Sequence, residues 1–427
     1  MMKAIINANI FDYENYIENQ YILFENQIIE VGAMENYPGA LYEINAKNSI
    51  VMPGFVVGHT HIYSTFARGI NLSFSPKNFK DILEQLWWKI DAKLGKDEIF
   101  YSALVAGIEF LKSGVTTVFD HHASGALIRN SLNTLKEALI DNIGLRGIFC
   151  FETSDRFPVR KCIDENLEFL QNNSQMYAGI FGLHASLSLS DKTLKTIAEE
   201  YNGPIHIHVA ESIDDVDYSV SNYGLTVVER LNKFGLLRKN SILAHCVHVS
   251  EKELGLISKN NCYVALNVSS NMNNAVGLPN YKKMKTFNVK TIVGNDGLGF
   301  NFARELLALL FSMKLNGHSP LAFNLNDLKN VITNTYEIAQ YYLNVKLGRI
   351  LPGYAADFVI VPYTPPTPID KTNAFSHFVY GILDNFKPSH GIVNGKILME
   401  NHKINLQVNE IYSIARKIAQ RLWESLI

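Results

Sequence analysis

The sequence predicts an α/β protein: a TIM-type (β/α)8 barrel with a small β-sandwich module built from both the N- and C-terminal segments. Three observations predict it. Eight short apolar strands alternate with amphipathic helical stretches across residues 54–345. Strand-rich segments with little helical periodicity flank that repeat at 1–53 and 346–406. Polar residues able to do chemistry collect at the C-terminal ends of the eight strands, the face on which such barrels carry their sites.

Taken in order, Ile5-Ile6, Tyr21–Phe24 and Gln27–Val31 are β-rich runs separated by Asn and Gly turns. From residue 53 the predicted strands are Phe55–His61, Val115–His121, Leu145–Phe151, Ala178–His184, Pro204–Val209, Ser241–Val247, Cys262–Val268 and Lys290–Asp296. Between them helical periodicity is read over Phe79–Leu94, Lys96–Lys112, Gly125–Asn142, Val159–Asn172, Lys192–Tyr201, Val220–Phe234 and Arg304–Leu315. After Leu347 the strand texture returns, with a turn and buried strand over Gly348–Val361 and a hairpin around Asn394-Gly395. These late strands are expected to pair with the first segment. A polar amphipathic helix is expected over 407–427.

Bulk properties narrow the function. The chain has 427 residues, 47% hydrophobic and 19% charged, with a formal net charge of −2. It offers no basic field for nucleic acid and no apolar run long enough for a membrane helix. No secretory leader pattern is read at the N-terminus. Cys150, Cys162, Cys246 and Cys262 fall mostly in predicted strands with no C-x-x-C spacing, so they are read as reduced, buried thiols of a cytoplasmic protein.

The chemistry is carried by four short motifs. His59-Thr-His61 ends the first barrel strand, and side chains two apart on a strand share a face. His206-Ile-His208-Val-Ala-Glu211 ends the fifth, Ala244-His245-Cys-Val-His248 the sixth and Gly294-Asn-Asp296-Gly297 the eighth. Several imidazoles and a carboxylate converging on one open position make a catalytic site for a divalent ion such as zinc. A carboxylate near such an ion, for which Glu211 is placed, can take a proton from water and pass it to a leaving nitrogen. His245 could hold the water or stabilise a developing oxyanion.

The order H-x-H, H-x-x-E, H-C-x-x-H and Gly-flanked Asp resembles the amidohydrolase superfamily, in its deaminase and chlorohydrolase branch, over nearly the whole chain. Pro352–Asp357 resembles the signature before that family's returning strand. Asn78–Asp91 and Phe119–Ser124 resemble the aminohydrolases of the SsnA type, found among purine-catabolic functions. The resemblance implies that His59, His61, His208 and Asp296 bind one divalent metal, zinc with Fe(II) as the alternative. It implies proton handling by Glu211, His245 and Asp296, and substrate contact by His184. It also implies a pocket wall at Ser269–Met272, which includes Asn271, and a homodimer. Val268 departs from the family, which usually carries Pro there. The fourth strand ends Phe181-Gly-Leu-His184, without the lysine that bridges two ions in binuclear relatives.

Other candidates are set against plain structural roles. His206 lies deeper than His208 on the same face and is read as a core histidine. His121 and His122 face opposite ways, and His122 is taken as the one lining the pocket. Trp87 and Trp88 are core aromatics or a lid over a flat ring, and Trp88 is taken as a substrate contact. Arg68, in the first loop, either binds substrate or sits in a surface ion pair. The function expected is hydrolytic deamination of a small purine-, pterin- or pyrimidine-like molecule, with ring opening or dechlorination as alternatives. A nucleic-acid deaminase would carry H-x-E with P-C-x-x-C, which is missing. A binding protein on the same barrel is disfavoured because all six metal and proton-transfer positions are filled.

Overall fold

The long apolar runs of the sequence become the strands of a barrel in the computed structural model, which describes residues 2–297 and 299–426. β1 (Lys3–Phe11), β2 (Tyr16–Phe24), β3 (Ile28–Ala33), β4 (Tyr42–Asn45) and β5 (Ile50–Pro53) come first. The barrel strands are β6 (Phe55–Thr60), β7 (Val115–His122), β8 (Arg146–Phe151), the divided fourth strand β9 (Tyr177–Gly179) and β10 (Phe181–Ala185), β11 (Ile205–Val209), β12 (Ile242–His245), β13 (Tyr263–Leu266) and β14 (Lys290–Val293). β15 (Phe358–Val361), β16 (His390–Val393), β17 (Lys396–Glu400) and β18 (Lys403–Ile404) follow.

All barrel pairings are parallel, in two sheets ordered β6-β7-β8-β9 and β10-β11-β12-β13-β14. Single parallel bridges, Thr153 to Leu183 and Thr60 to Asp296, join the sheets at their two seams. Glycines make the second seam possible. A Cβ on Gly58 would lie 2.9 Å from the Val293 carbonyl oxygen, and one on Gly294 would lie 2.7 Å from the His59 carbonyl oxygen. Only bare backbone lets the first and eighth strands approach so closely.

The β module, expected as a sandwich, is one nine-stranded sheet in which β15 pairs antiparallel with β5. It folds over on itself: Phe24 of β2 meets Phe358 of β15 edge to face, ring centres 5.1 Å apart, although β1 and β5 lie between them in the sheet. Asn394 and Gly395 turn from β16 to β17 with φ of 50° and 69°, the two positive values an Asn-Gly hairpin turn needs. The module is tied to the barrel by Arg146 of β8. Its buried guanidinium is held by both carboxylate oxygens of Asp357, at 2.6 and 3.0 Å. That pair explains the carboxylate of the Pro352–Asp357 signature.

Two helical readings change. The stretch Val220–Phe234 is two helices, Ile213–Tyr223 and Val227–Lys233. Gly224 takes φ 68° and ends the first, while Thr226 and Glu229 cap the second reciprocally. A helix over Leu325–Leu343, not anticipated, starts at a box formed by Asn324 and Asp327. The terminal helix Val408–Glu424 packs on Lys96–Lys112, and its Trp423 indole donates to the Phe66 carbonyl at 2.7 Å, bracing the loop after β6. Among the described residues no helix is long and apolar enough to cross a membrane.

Candidate metal and active site

Strand period brings the histidines together. His59 is the penultimate residue of β6 and His61 follows its end. His208 is on β11, His245 ends β12, and Asp296 lies three residues beyond β14. All are buried or nearly so. Their tautomers can be read from their partners. His61 Nδ1 lies 2.7 Å from the His121 carbonyl oxygen, and His208 Nδ1 lies 3.0 Å from that of His184. Each must donate there, so in the neutral ring each Nε2 carries a lone pair. Those two lone pairs face each other across 3.0 Å. Asp296 Oδ1 stands 3.1 Å from His61 Nε2 and 3.1 Å from His59 Nε2.

Lone pairs and a carboxylate oxygen converging in a buried volume repel one another unless a positive charge sits among them. A tetrahedral ion with bonds near 2.0 Å would set donor–donor edges of about 3.3 Å, close to those seen. The donor set therefore fits a divalent cation. Other groupings of donors share this volume, among them His59, His208, His245 and Asp296, and His61, His121, Glu152 and His208. But His245 Nε2 is 3.9 Å from Asp296 Oδ1, and His121 Nδ1 and Glu152 are spent on each other at 3.0 Å, so the set around Asp296 Oδ1 is preferred.

The electrostatics agree. Burial pushes His59 down to about 3, and lowers His206 and His208 well below the ordinary imidazole value. Burial acts on His61 in the same direction, but hydrogen bonding and attraction to Asp296 override it and raise it to about 10. Burial also works against ionisation of Asp296, yet the imidazoles of His59 and His61 beside it hold it well below the usual carboxylate range. Its Oδ2 accepts from Ser270 Oγ at 2.5 Å, which leaves Oδ1 aimed at the cluster.

Glu211 lies beside this set, Oε2 3.5 Å from His245 Nε2. Burial raises its carboxyl toward neutrality, against the pull of His245. His245 is oriented by Asn271, whose Oδ1 accepts from Nδ1 at 2.7 Å. His245 Nε2 has no hydrogen-bond partner although buried. The backbone turns sharply here: Ala210, His245 and Asp296 take φ of 45°, 72° and 58°. Non-glycine residues in this left-handed region are strained, and such strain gathers at functional sites.

Above the cluster is a cavity walled by Tyr63, Phe79, Trp87, Trp88 and His184. His184 Nδ1 lies 2.6 Å from Ser188 Oγ, which itself donates to the Ala185 carbonyl. His184 is therefore the donor there, and its Nε2 is left as an acceptor. Burial lowers His184 to about 3, with Glu152 opposing.

A sequence model of the amidohydrolase family matches residues 50–398. The chain belongs to the amidohydrolase family. It is a hydrolase acting on carbon–nitrogen bonds. A 5'-deoxyadenosine deaminase of Methanococcus maripaludis is 30% identical over 398 residues, 88% of this chain and 89% of that one. A 5-methylthioadenosine/S-adenosylhomocysteine deaminase of Syntrophomonas wolfei is 27% identical over 424 residues, 96% and 95% of the two chains. Among solved structures, an adenosine deaminase from Xanthomonas campestris with bound zinc superposes with TM-score 0.85 at 19% identity, covering 98% of each chain. A guanine deaminase from C. acetobutylicum gives TM-score 0.76 at 19% identity, covering 93% of this chain and 100% of that one.

In this amidohydrolase the residues named from sequence divide into three groups. His59, His61, His208, Asp296, Glu211 and His245 come together at one point, and His184 and Trp88 face the cavity above it. Asn271 does not line the cavity; it is buried and holds His245. His122 and Arg68 lie elsewhere. His122 is buried, with Nε2 3.1 Å from Ser124 Oγ. Arg68 pairs with Glu109 at 2.8 Å, lies over the Phe300 ring and opens on a neighbouring groove. His121 is under the floor, with Nδ1 3.0 Å from Glu152 Oε1.

Sequence reasoning missed Tyr63, Asn274 and Asp91 as cavity residues. Asn274 Nδ2 reaches Glu211 Oε1 at 3.4 Å. Asp91 is buried beside the cavity and takes a two-pronged bond from Arg156, which lies over the Trp88 ring. No local signal marks Asp91, because its partner is 65 residues away.

Proposed function

We propose that this amidohydrolase deaminates an adenine nucleoside or a close purine relative, releasing ammonia. The names of the relatives at 27–30% identity support that substrate class, and the aromatic cavity suits a flat ring. The observation that carries the reading is the convergence of the His59 and His61 Nε2 atoms on Asp296 Oδ1, with His208 Nε2 3.0 Å from that of His61, next to a buried Glu211.

His59, His61, His208 and Asp296 would hold one ion, for which we propose zinc, with Fe(II) as the alternative. When bound, such an ion supplies Lewis acidity and brings the pKa of a coordinated water toward neutrality. The protein's own groups do the rest. Glu211, raised toward neutrality by burial, takes a proton from the attacking water and returns it to the leaving amino nitrogen. His245, fixed by Asn271, presents Nε2 to the attacking oxygen. His184 Nε2, an acceptor, orients the substrate by a hydrogen bond from its exocyclic amino N–H or a sugar hydroxyl. The aromatic wall keeps the ring flat over the cluster and displaces bulk water.

A cytoplasmic homodimer completes the proposal. Four buried free thiols suit a reducing compartment, and exposed Phe311 and Leu315 offer an apolar face for a second copy.

The test is ammonia release by the zinc-loaded protein from a panel of purine nucleosides, purines, pterins and pyrimidines, with Glu211→Gln in parallel. Ammonia from an adenine nucleoside, and a loss of about 100- to 10,000-fold in kcat with metal content unchanged, is expected. A new carboxylate without ammonia would mean ring opening, and chloride from a chlorinated ring would mean dechlorination. No metal uptake at all would sink the hydrolytic site.

A further inference from the structure

Behind the proposed metal ligands, the partner of His59 is another histidine. His59 Nδ1 lies 2.8 Å from His206 Nε2, with both rings fully buried. On the other side of the ring, His59 Nε2 lies 3.1 Å from Asp296 Oδ1. A neutral imidazole carries one proton, so two arrangements compete. With the proton on Nε2, His59 donates to Asp296 and closes itself to a cation. With the proton on Nδ1, it donates to His206, and its Nε2 lone pair joins those of His61 and His208.

We infer that His206 is a positioning residue whose Nε2, 2.8 Å from His59 Nδ1, selects the tautomer of His59 that can bind the ion. The inference rests on the metal-site reading above and deepens it. It accounts for an otherwise costly feature. If His206 Nε2 accepts, its proton is on Nδ1, and that buried Nδ1 has no hydrogen-bond partner. An orphaned buried donor is unfavourable, and a core histidine kept only for packing would be better replaced by an apolar residue. The His206 backbone is anchored as well, because its carbonyl oxygen accepts from His121 Nε2 at 3.1 Å. Partners of this kind, one layer behind the ligands, commonly change metal affinity by about 10- to 100-fold when removed.

The test measures zinc affinity, not turnover. Purified wild-type protein, His206→Leu and His206→Gln are titrated with Zn2+ against a chromophoric chelator. His206→Leu keeps the bulk but removes the acceptor, and should weaken zinc binding about 10- to 100-fold. His206→Gln offers an oxygen near the position of Nε2 and should restore most of the affinity. As a measurement that needs no variant, 15N-histidine spectra of the metal-free wild type should show His59 and His206 both protonated on Nδ1. Unchanged affinity in His206→Leu, no rescue by His206→Gln, or an Nε2-protonated His59 would each overturn the inference while leaving the metal site standing. A wild type that takes up no zinc would instead overturn the metal reading and this inference with it.

Discussion

Replacing Asp357 by alanine tests how the β module is fastened to the barrel. Asp357 precedes β15 and accepts from Arg146 Nε at 2.6 Å and Nη2 at 3.0 Å, while its Oδ1 also accepts the Asn394 N–H at 2.7 Å. The Arg146 side chain is fully buried and that of Asp357 nearly so. Removing the carboxylate leaves a guanidinium with only the Asn394 side chain, the Gln175 carbonyl and the Met176 sulfur for partners. None of these is charged. Breaking one side of a buried ion pair costs about 3–5 kcal/mol, whereas replacing both sides with apolar groups is often neutral. Equilibrium urea unfolding should therefore show Asp357→Ala destabilised by about 3–5 kcal/mol in the wild-type background. In an Arg146→Met background the same change should cost about 1–2 kcal/mol, mostly for the freed Asn394 N–H. A double-mutant cycle isolates the difference. A coupling below about 0.5 kcal/mol would refute the argument, because the cost would then come from local turn geometry and not from the stranded charge.

Two further outcomes follow from the site. Asn271→Leu removes the acceptor that fixes His245 and should lower kcat by about 10- to 100-fold with metal content retained; equal metal loss would move His245 into the ligand set. Asp91 is raised from 3.8 to about 6 by burial, against the pull of Arg156. A carboxyl raised on folding favours the protonated fold, so its contribution is full below about pH 4 and is lost as the pH rises through 6. The stability of wild type relative to Asp91→Asn, measured by urea unfolding, should thus fall by up to about 3 kcal/mol between pH 4 and 7. A rise over that interval would mean that Arg156 governs the ionisation.

The sequence reveals most where chemistry is spaced along one strand. His59 and His61, or His208 with Glu211 just beyond it, need only strand period and the barrel's polarity to be placed on one face. Roles fixed by distant partners are less legible. Arg68 is captured by Glu109, 41 residues on in the helix Lys96–Lys112, and nothing near Arg68 announces it. Asn271 looks like pocket wall from its segment, but its side chain is spent on His245, 26 residues away. His121 and His122 could not be separated by pattern because both faces of β7 are buried, one over the barrel axis and one under helices. The reading of His206 as a core histidine is correct about its depth but says nothing of its partner. The unanticipated helix Leu325–Leu343 did carry a signal, since Asn324-x-x-Asp327 precedes apolar residues at Leu328, Val331, Ile332, Ile338 and Ala339.

The strained backbone at the strand ends yields a prediction that separates scaffold from chemistry. Ala210, His245 and Asp296 all adopt positive φ, and each lies at the C-terminal end of a barrel strand or just beyond it. For His245 and Asp296 the strain cannot be relieved by glycine without removing a side chain that the proposed site uses. Ala210 has no such duty: its Cβ is buried, and only its backbone is committed, the N–H to Asp215 Oδ2 at 3.0 Å and the carbonyl to the His248 N–H at 3.0 Å. Left-handed backbone costs an alanine about 1–2 kcal/mol relative to glycine. The change also loses about 0.8 kcal/mol of apolar burial and about 0.5–1 kcal/mol of unfolded-state entropy. The terms nearly cancel, so Ala210→Gly should shift unfolding by no more than about 0.5 kcal/mol. Ala244, equally buried in β12 and absent from the positive-φ positions, has no strain to release. Ala244→Gly should cost about 1.5 kcal/mol by the same terms. Equal costs for the two would mean that the turn at Ala210 carries no strain. The sharp turn that aims Glu211 at the cluster would then be set by the Asp215 and His248 bonds.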